Sequence, residues 1–230
     1  MRWLVLTLAL ALAGLFLYWL LVITEGVYLG QRAVVWLYDL TAGKYDGIKE
    51  FSPEMESFFV VRPLRHRLRR IPAPLILDAA TGTGRVPWFL LEDPLFNGRV
   101  IGLDASGKML RLAAAKLKPY GRRAAFVQQT ADRLPFPDNT FHAVTCLESL
   151  EFFPSDVTAV REMARVLQPG GVLLVTRRRG REAKLFPGRY RNVPQFEALL
   201  RDVGLVDVHT LPWQEDYDQV FGQKPVNGNR

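Results

Sequence analysis

One pattern limits the possible folds more than any other: from Pro72 onward, short apolar runs rich in β-branched residues alternate with amphipathic stretches. The first of these are LILDAAT, VPWFLLE, RVIGLDAS, KMLRLAAAKLKPY and AAFVQQT, a βαβαβ order. The later ones are HAVTCLES, SDVTAVREMARVLQ, VLLVTR, NVPQFEALLRDVG, VDVHTLPW and DQVFGQK. Near-continuous apolar strands separated by helices predict an α/β domain with a mostly parallel sheet covered by helices on both faces.

The first predicted strand ends in a turn that carries an acid and two glycines, ILDAATGTG. Ligands of parallel sheets collect at the carboxyl ends of the strands, so Asp78, Gly82 and Gly84 are expected at the mouth of a site, where glycines let a ligand approach the backbone. A dinucleotide fingerprint needs a third glycine, but Pro87 stands three residues after Gly84. Asp104 ends the next strand, where an acid can accept hydrogen bonds from ribose hydroxyls. The pattern therefore favours a nucleoside without a pyrophosphate.

The amino-terminal residues form an uncharged apolar run from Trp3 to Thr24. A helix of this length measures about 33 Å and spans a bilayer core. A cleaved signal peptide is the alternative, but the small-residue motif Ala11-Leu12-Ala13 lies in the middle of the run rather than at its end. We therefore predict a retained transmembrane anchor at residues 1–24, juxtamembrane and entry helices at 25–71 and a catalytic domain at 72–230. The charges that flank the anchor do not decide its orientation.

Cysteine and histidine usage argues against metal chemistry. Cys146 is the single cysteine, and His66, His142 and His209 lie far apart without the spacing of metal ligands. We expect no metal site and no disulfide framework.

The net charge of +7 indicates an anionic partner. Basic residues concentrate in two segments, 62–70 and 177–191, and the second is interleaved with Phe186 and Tyr190. Each segment could be a solvated surface or, for 177–191, an RNA-binding surface. The nearby anchor favours contact with anionic lipid headgroups, so nucleic acid is the less favoured partner.

Four blocks together resemble the class I S-adenosylmethionine-dependent methyltransferases, in the branch of the ubiquinone and menaquinone C-methyltransferases. They are LILDAATGTG, VIGLDASGKML, QQTADRLPFPDNTFHAVTCLESLEFF and LQPGGVLLVT. In the first block Ala80 replaces the first glycine of D-x-G-x-G-x-G, a departure that this branch also shows. The resemblance implies a Rossmann-like sheet of seven strands in the order 3-2-1-4-5-7-6, with strand seven antiparallel, and S-adenosyl-L-methionine as cofactor.

The resemblance also assigns cofactor-binding roles. Asp104 would bind the ribose, Met109 would contact the adenine, and Asp132 would accept from the adenine amino group beside Ala131. The residues implied for the cofactor site are Asp78, Ala80, Thr81, Gly82, Gly84, Asp104, Ala105, Met109, Ala131, Asp132, Cys146 and Leu147. No catalytic base stands out: His142 and His209 lie on strands, and Tyr45 with Asp46 is only a weak candidate.

These observations favour a single-pass, membrane-anchored methyltransferase that acts on a lipophilic acceptor, first a quinone or prenylated phenol and second a phospholipid amine. The donor argues for a cytosolic catalytic domain. A non-catalytic, cofactor-binding membrane scaffold is an alternative from another class, and an oxidoreductase is a weaker third. The acceptor, the methylated atom and the oligomeric state stay open, because acceptor pockets are built from variable loops.

Overall fold

The computed structural model describes residues 1–49 and 51–226, and the end of the predicted 72–230 domain therefore lies outside the described residues. Its centre is one sheet of seven strands in the order β3-β2-β1-β4-β5-β7-β6. The strands are β1 Leu75–Ala79, β2 Arg99–Asp104, β3 Ala124–Gln128, β4 Phe141–Cys146, β5 Leu167–Arg178, β6 Val206–Pro212 and β7 Tyr217–Gln223. The first five are parallel, and β7 pairs antiparallel with β5 and β6. The predicted order and the antiparallel seventh strand are both confirmed.

The central strands are apolar on both faces because helices cover both faces. Leu77, Val144 and Leu173 have no exposed surface, as the near-continuous apolar runs predicted. The helices are α1 Arg2–Tyr18, α2 Gln31–Thr41, α3 Tyr45–Lys49, α4 Pro53–Glu56, α5 Arg62–Leu68, α6 Arg85–Glu92, α7 Gly107–Leu117, α8 Asp156–Val166 and α9 Val193–Asp202. One core cluster contains residues of α8 and α9, and the other contains residues of α5, α6 and α7.

The segment before Pro72 contributes to the core of the sheet. Val60, Val61, Leu64 and Leu68 are buried in the same cluster as Ile76 of β1. Pro63 lies in this segment, but the helical run is continuous from α4 to α5. It is continuous because a π-helical turn, Ser57–Val61, precedes Pro63, and the proline stands in the first turn of α5.

Helix α1 continues through a π-helical turn to Ile23, giving 22 residues of mean hydropathy 2.4 that are largely exposed, with Leu20 in the last turn buried. By length and composition this helix can cross a membrane, and a signal sequence near the amino terminus would meet the same criteria. Its last turn contacts the domain, where the Trp19 indole Nε1 donates to the carbonyl of Leu185 at 3.1 Å. Leu185 follows β5, so the apolar helix meets the domain at the carboxyl edge of the sheet.

Candidate functional site

A cavity lies at the carboxyl edge of the sheet, above β1, β2 and β4 and beneath α2. Most of the predicted cofactor residues line it, and these are Ala80, Gly82, Asp104, Ala105, Met109, Ala131 and Leu147. The parallel order of the strands brings the ends of β1, β2 and β4 to one edge, which is why residues far apart in sequence share one cavity.

Asp104 joins the end of β2 to the glycine turn. Its Oδ2 accepts a hydrogen bond from the backbone N–H of Gly82, and its Oδ1 accepts one from the N–H of Ser106, both at 2.8 Å. Burial raises the pKa of this carboxyl, although these backbone N–H groups oppose the shift. The carboxylate is therefore held in a fixed orientation on the cavity wall.

The two glycines of the turn have different surroundings. Both have positive φ, +55° at Gly82 and +81° at Gly84. A Cβ on Gly82 would meet only the Tyr45 ring, at 3.9 Å, whereas a Cβ on Gly84 would lie 2.6 Å from Leu117 Cδ1 and 3.1 Å from Ala113 Cβ. Gly82 thus leaves room at the cavity. Gly84 does not line the cavity and instead allows α7 to pack closely against the turn, and the contact of either glycine with a ligand stays a prediction.

Asp78, Thr81 and Cys146 lie below the cavity. The Asp78 carboxylate accepts hydrogen bonds from the hydroxyls of Thr81 at 2.6 Å and Thr145 at 2.5 Å. Burial raises its pKa to about 6, and the two hydroxyls oppose that shift. The Cys146 thiol is fully buried, with Sγ 3.1 Å from Ser149 Oγ, and burial raises its pKa. In this structure these side chains support the cavity floor instead of lining it.

Asp132 has an unusual environment next to the cavity-lining Ala131. Its Oδ1 is buried, and it accepts no hydrogen bond from any residue that the structure describes. A buried carboxylate oxygen without a donor is energetically costly. It is therefore available to accept a hydrogen bond from a bound molecule.

Several lining residues were not predicted from the sequence. They are Gln31, Val34, Val35, Tyr38, Leu103, Ser106, Gln129, Thr130, Ser149, Phe152 and Phe153, and Tyr45, the weak base candidate, also lines the cavity. Helix α2 is held over the cavity by Asp39, whose Oδ1 accepts from Ser106 Oγ at 2.5 Å and from Lys108 N at 3.4 Å. The apolar run from Val27 to Tyr38 is the one sequence signal that could have indicated this cover.

Glu148 lies on the wall shared by this cavity and a second one, which Arg85 and Trp213 also line. Its carboxylate accepts from Arg85 at 2.5 Å and from Lys49 at 2.8 Å, and Arg85 also pairs with the buried Glu56. Burial opposes ionisation of Glu148, but Arg85 and Lys49 outweigh it, so its pKa is lowered. Glu148 also has a φ of +52°, a strained conformation of the kind that concentrates at functional sites.

The two basic segments differ in their surroundings. Segment 62–70 includes most of α5, which ends near the start of β1 and therefore at the amino edge of the sheet. In this segment Arg65 pairs with Asp93 at 2.9 Å, and the Arg67 guanidinium lies 3.9 Å from the centre of the Phe221 ring. Segment 177–191 is at the carboxyl edge, next to the apolar helix. Several of its arginines are paired within the domain: Arg177 with Asp218, Arg178 with Glu151 and Arg191 with Asp156. Arg179 also pairs with Asp218, and Arg189 donates to the backbone carbonyls of Glu151 and Phe153. The remaining two cations of the segment, Arg181 and Lys184, are exposed.

His142 lies on β4, as expected, and its Nδ1 accepts a hydrogen bond from the backbone N–H of Leu75 at 3.0 Å. His209 stacks on Phe221, away from the cavity. Within residues 1–49 and 51–226, no three His, Cys, Asp or Glu side chains are grouped in a way that could hold a metal ion.

The sequence matches a methyltransferase domain family over residues 76–171. The demethylmenaquinone methyltransferase of Lactococcus lactis is 42% identical over 97 residues, which are 42% of this chain and 38% of that protein. A ubiquinone/menaquinone biosynthesis C-methyltransferase of an Enterobacter species is 39% identical over 102 residues, 44% of this chain and 41% of that protein. The demethylmenaquinone methyltransferase of Thermus thermophilus is 37% identical over 118 residues, 49% and 53% of the two chains. The chain thus spans about half or less of these relatives.

Solved structures with the same fold include the methyltransferase CalH in complex with S-adenosylhomocysteine, with a TM-score of 0.61 and 18% identity over 72% of this chain and 55% of that one. The [4+2]-cyclase SpnF has a TM-score of 0.60 and 21% identity over 73% and 80% of the two chains. Because one of these neighbours is a cyclase, the likeness at this identity shows the fold and does not specify the reaction.

Proposed function

We propose that this chain is a class I S-adenosylmethionine-dependent methyltransferase that methylates a lipophilic, membrane-associated acceptor. The proposal is supported by the match of residues 76–171 to a methyltransferase domain family and by the similarity to the ubiquinone and menaquinone enzymes. A quinone or prenylated phenol is the favoured acceptor class. The observation that carries the proposal is the hydrogen bond between Gly82 and Asp104, which places the glycine turn and the acid of β2 on one cavity wall.

The residues around this cavity fit the cofactor. Asp104 would accept from the ribose hydroxyls, and the open side of Gly82 leaves backbone accessible to the amino-acid end. Met109 and Ala131 offer apolar contacts to the adenine, and the unpaired Oδ1 of Asp132 would accept from its amino group. When bound, the cofactor supplies a methyl group on a positively charged sulfur, and the protein has to align the acceptor with it and exclude water.

Glu148 and Tyr45 are the polar side chains proposed to face the acceptor. Arg85 and Lys49 keep Glu148 ionised at neutral pH, so it offers a fixed negative charge and accepts hydrogen bonds rather than protons. Burial raises the pKa of the Tyr45 hydroxyl, which stays protonated and can donate. Neither is suited to act as a base, and methylation of carbon on an electron-rich ring makes a modest demand for one.

The acceptor class is supported by the apolar side of the cavity. Val34, Val35, Phe152 and Phe153 line it, and α2, which carries two of them, follows the apolar amino-terminal helix. A substrate confined to the same bilayer as its enzyme is present at a high effective concentration. Retention of that helix as an anchor, with the domain in the cytosol where the donor is found, is part of the proposal.

The decisive experiment uses the full chain in lipid nanodiscs with S-adenosylmethionine labelled in its methyl group. Reduced demethylmenaquinone, a prenylated phenol and phosphatidylethanolamine are offered separately, and the products are identified by mass spectrometry. We expect label in the quinone or phenol, lost in Asp104→Ala and retained in Asp202→Ala, which changes an exposed acid on α9. Label in phosphatidylethanolamine would favour the phospholipid amine instead. Cofactor binding without transfer to any acceptor, including a total lipid extract, would favour the scaffold.

A further inference from the structure

We propose that the outward face of α2 lies in the headgroup region of an anionic bilayer, so that this one helix separates the lipid from the cofactor cavity. The inference rests on the proposed membrane attachment and deepens the proposed function by naming the surface from which the acceptor arrives.

Helix α2 has two different faces. Val34 is buried, and Gln31, Val35 and Tyr38 line the cavity, so the inner face is fully used. The opposite face exposes large apolar side chains: Leu29 just before the helix is 53% exposed, and Trp36 and Leu40 are each 58% exposed. Trp36 and Leu40 are four residues apart and therefore fall on one side of α2, while Leu29 belongs to the turn that precedes the helix. An exposed apolar stripe of this kind marks an interaction surface.

The start of α2 lies close to the carboxyl end of the apolar amino-terminal helix. The Trp19 and Tyr28 rings are stacked with centroids 5.2 Å apart, and the Tyr28 hydroxyl donates to the carbonyl of Pro187 at 2.8 Å. Gly26 and Gly30, with φ of +73° and +92°, allow the sharp reversal between the two helices. Leu29 therefore follows directly after a residue that contacts the last turn of the apolar helix.

A small apolar cluster joins this junction to the cavity. Val27, Val34, Phe152 and Phe186 are buried together, with Tyr38 packed against them. Phe152 and Val34 also line the cavity, so the cluster extends from the end of the apolar helix to the cavity wall. The carboxyl edge of the sheet is thereby held on the side of the domain from which the apolar helix leaves.

The charges next to the apolar stripe suit anionic lipid. Arg32 is exposed in the first turn of α2 and Lys44 in the 3-10 turn that follows the helix, and Arg181 and Lys184 are exposed on the neighbouring 177–191 loop. Near an anionic surface each such cation contributes about 1 kcal/mol. Tryptophan is enriched at membrane interfaces, which fits Trp36 at the centre of the stripe. A second copy of the chain would bring like charges together, so the bilayer is the favoured occupant.

The test places an environment-sensitive fluorophore on an introduced cysteine in the full chain, reconstituted into vesicles of phosphatidylcholine and phosphatidylglycerol. Cys146 is fully buried and its thiol pKa is raised, so it does not compete for the label. Leu40→Cys reports on the α2 face. Leu95→Cys is the matched control, because Leu95 is 67% exposed and precedes β2 at the opposite edge of the sheet.

We expect lipids brominated in their acyl chains to quench the label at position 40 about twofold and to leave position 95 unchanged, as for an interfacial helix. Equal, weak quenching at both positions would overturn the proposal. A label at position 40 that is shielded from aqueous dithionite but not quenched by brominated lipid would assign the face to a second copy of the chain.

A second arm separates this proposal from the proposed function. The variant Trp36→Gln with Leu40→Gln changes residues that do not line the cavity, so S-adenosylmethionine binding is expected to stay unchanged. Methyl transfer to a long-chain acceptor in vesicles should fall about tenfold, whereas transfer to a short-chain, water-soluble analogue should not change. Equal rates on both acceptors would overturn the proposal. If the unmodified chain methylates neither, the proposed function fails, while the quenching result still decides where α2 lies.

Discussion

The carboxylate of Asp104 accepts a hydrogen bond from the backbone N–H of Gly82 at 2.8 Å, so two strands that are separated by α6 in sequence meet at one point of the cavity wall. This contact orients the carboxylate and the glycine turn together. A change at either residue therefore alters a ligand site more than it alters the hydrophobic core.

Asp104→Ala should weaken S-adenosylmethionine binding about 10- to 100-fold, because a charge-assisted hydrogen bond to a ligand contributes about 1.5–3 kcal/mol. Isothermal titration calorimetry on the full chain in detergent measures the change. Asp104→Asn should show an intermediate loss, since the amide keeps one acceptor oxygen.

Asp202→Ala is the control for this measurement and should leave the dissociation constant unchanged. An affinity in Asp104→Ala within a factor of about two of the unmodified chain would contradict the ribose-binding role.

The two turn glycines should separate ligand binding from stability. Gly84→Ala puts a Cβ against Leu117 at a positive φ, so we expect it to lower the free energy of unfolding by about 2 kcal/mol or more. Gly82→Ala meets only the Tyr45 ring at 3.9 Å, so it should cost about 1 kcal/mol of stability for its φ but weaken cofactor binding. Urea unfolding and calorimetry on both variants check this, and equal stability losses would contradict the assignment.

The sheet and the position of its ligand edge could be predicted because they depend on local patterns. Apolar runs of strand length define the strands, and the parallel order brings Ala80, Gly82 and Asp104 together whatever the intervening loops are. The role of Gly84 could not be predicted in the same way, because the side chain that limits its space, Leu117, belongs to another helix.

The two basic segments also show what a sequence alone does not predict. Counting arginines in 62–70 and 177–191 gave two basic segments, but Arg65, Arg177 and Arg191 pair with acids that are distant in sequence. Pairing depends on tertiary distances, so net charge alone overstated the free positive surface. Entry helices were predicted within residues 25–71, but the sequence did not indicate that α2 covers the cavity, because an apolar run does not reveal which of its faces packs inward.

The pH dependence of stability should carry a contribution from Asp78. Burial raises the pKa of its carboxyl from 3.8 to about 6 in the folded state. Between these values the folded state binds more protons than the unfolded state, so this group stabilises the fold below about pH 4 and loses that contribution as the pH rises through 6. Asp78→Asn should remove this fall, about 3 kcal/mol, from the curve of unfolding free energy against pH.

The comparison of Asp78→Asn with the unmodified chain isolates this one group, because Asp104 and Glu151, whose pKa values burial also raises, are present in both. Thr145 can still donate to the carbonyl of Leu77, which lies 3.4 Å away, so the substitution leaves its hydroxyl a partner. Parallel curves from pH 4 to 7 would show that Asp78 does not titrate in this range.

Arg85→Met should destabilise the protein by about 3–5 kcal/mol at neutral pH, because it leaves Glu56 and Glu148 buried without the cation that both share. Methionine preserves apolar contact with the Phe51 and Trp213 rings, on which the guanidinium now rests at 4.3 and 5.1 Å, so the loss reports mainly on charge. Adding Glu56→Gln and Glu148→Gln should recover most of the free energy of unfolding, since neutral amides need no cation. Urea unfolding of the single and triple variants measures both free energies. If Arg85→Met lowers the free energy of unfolding by less than about 1 kcal/mol, the carboxylates are compensated by another cation, and Lys49 beside Glu148 is the first candidate.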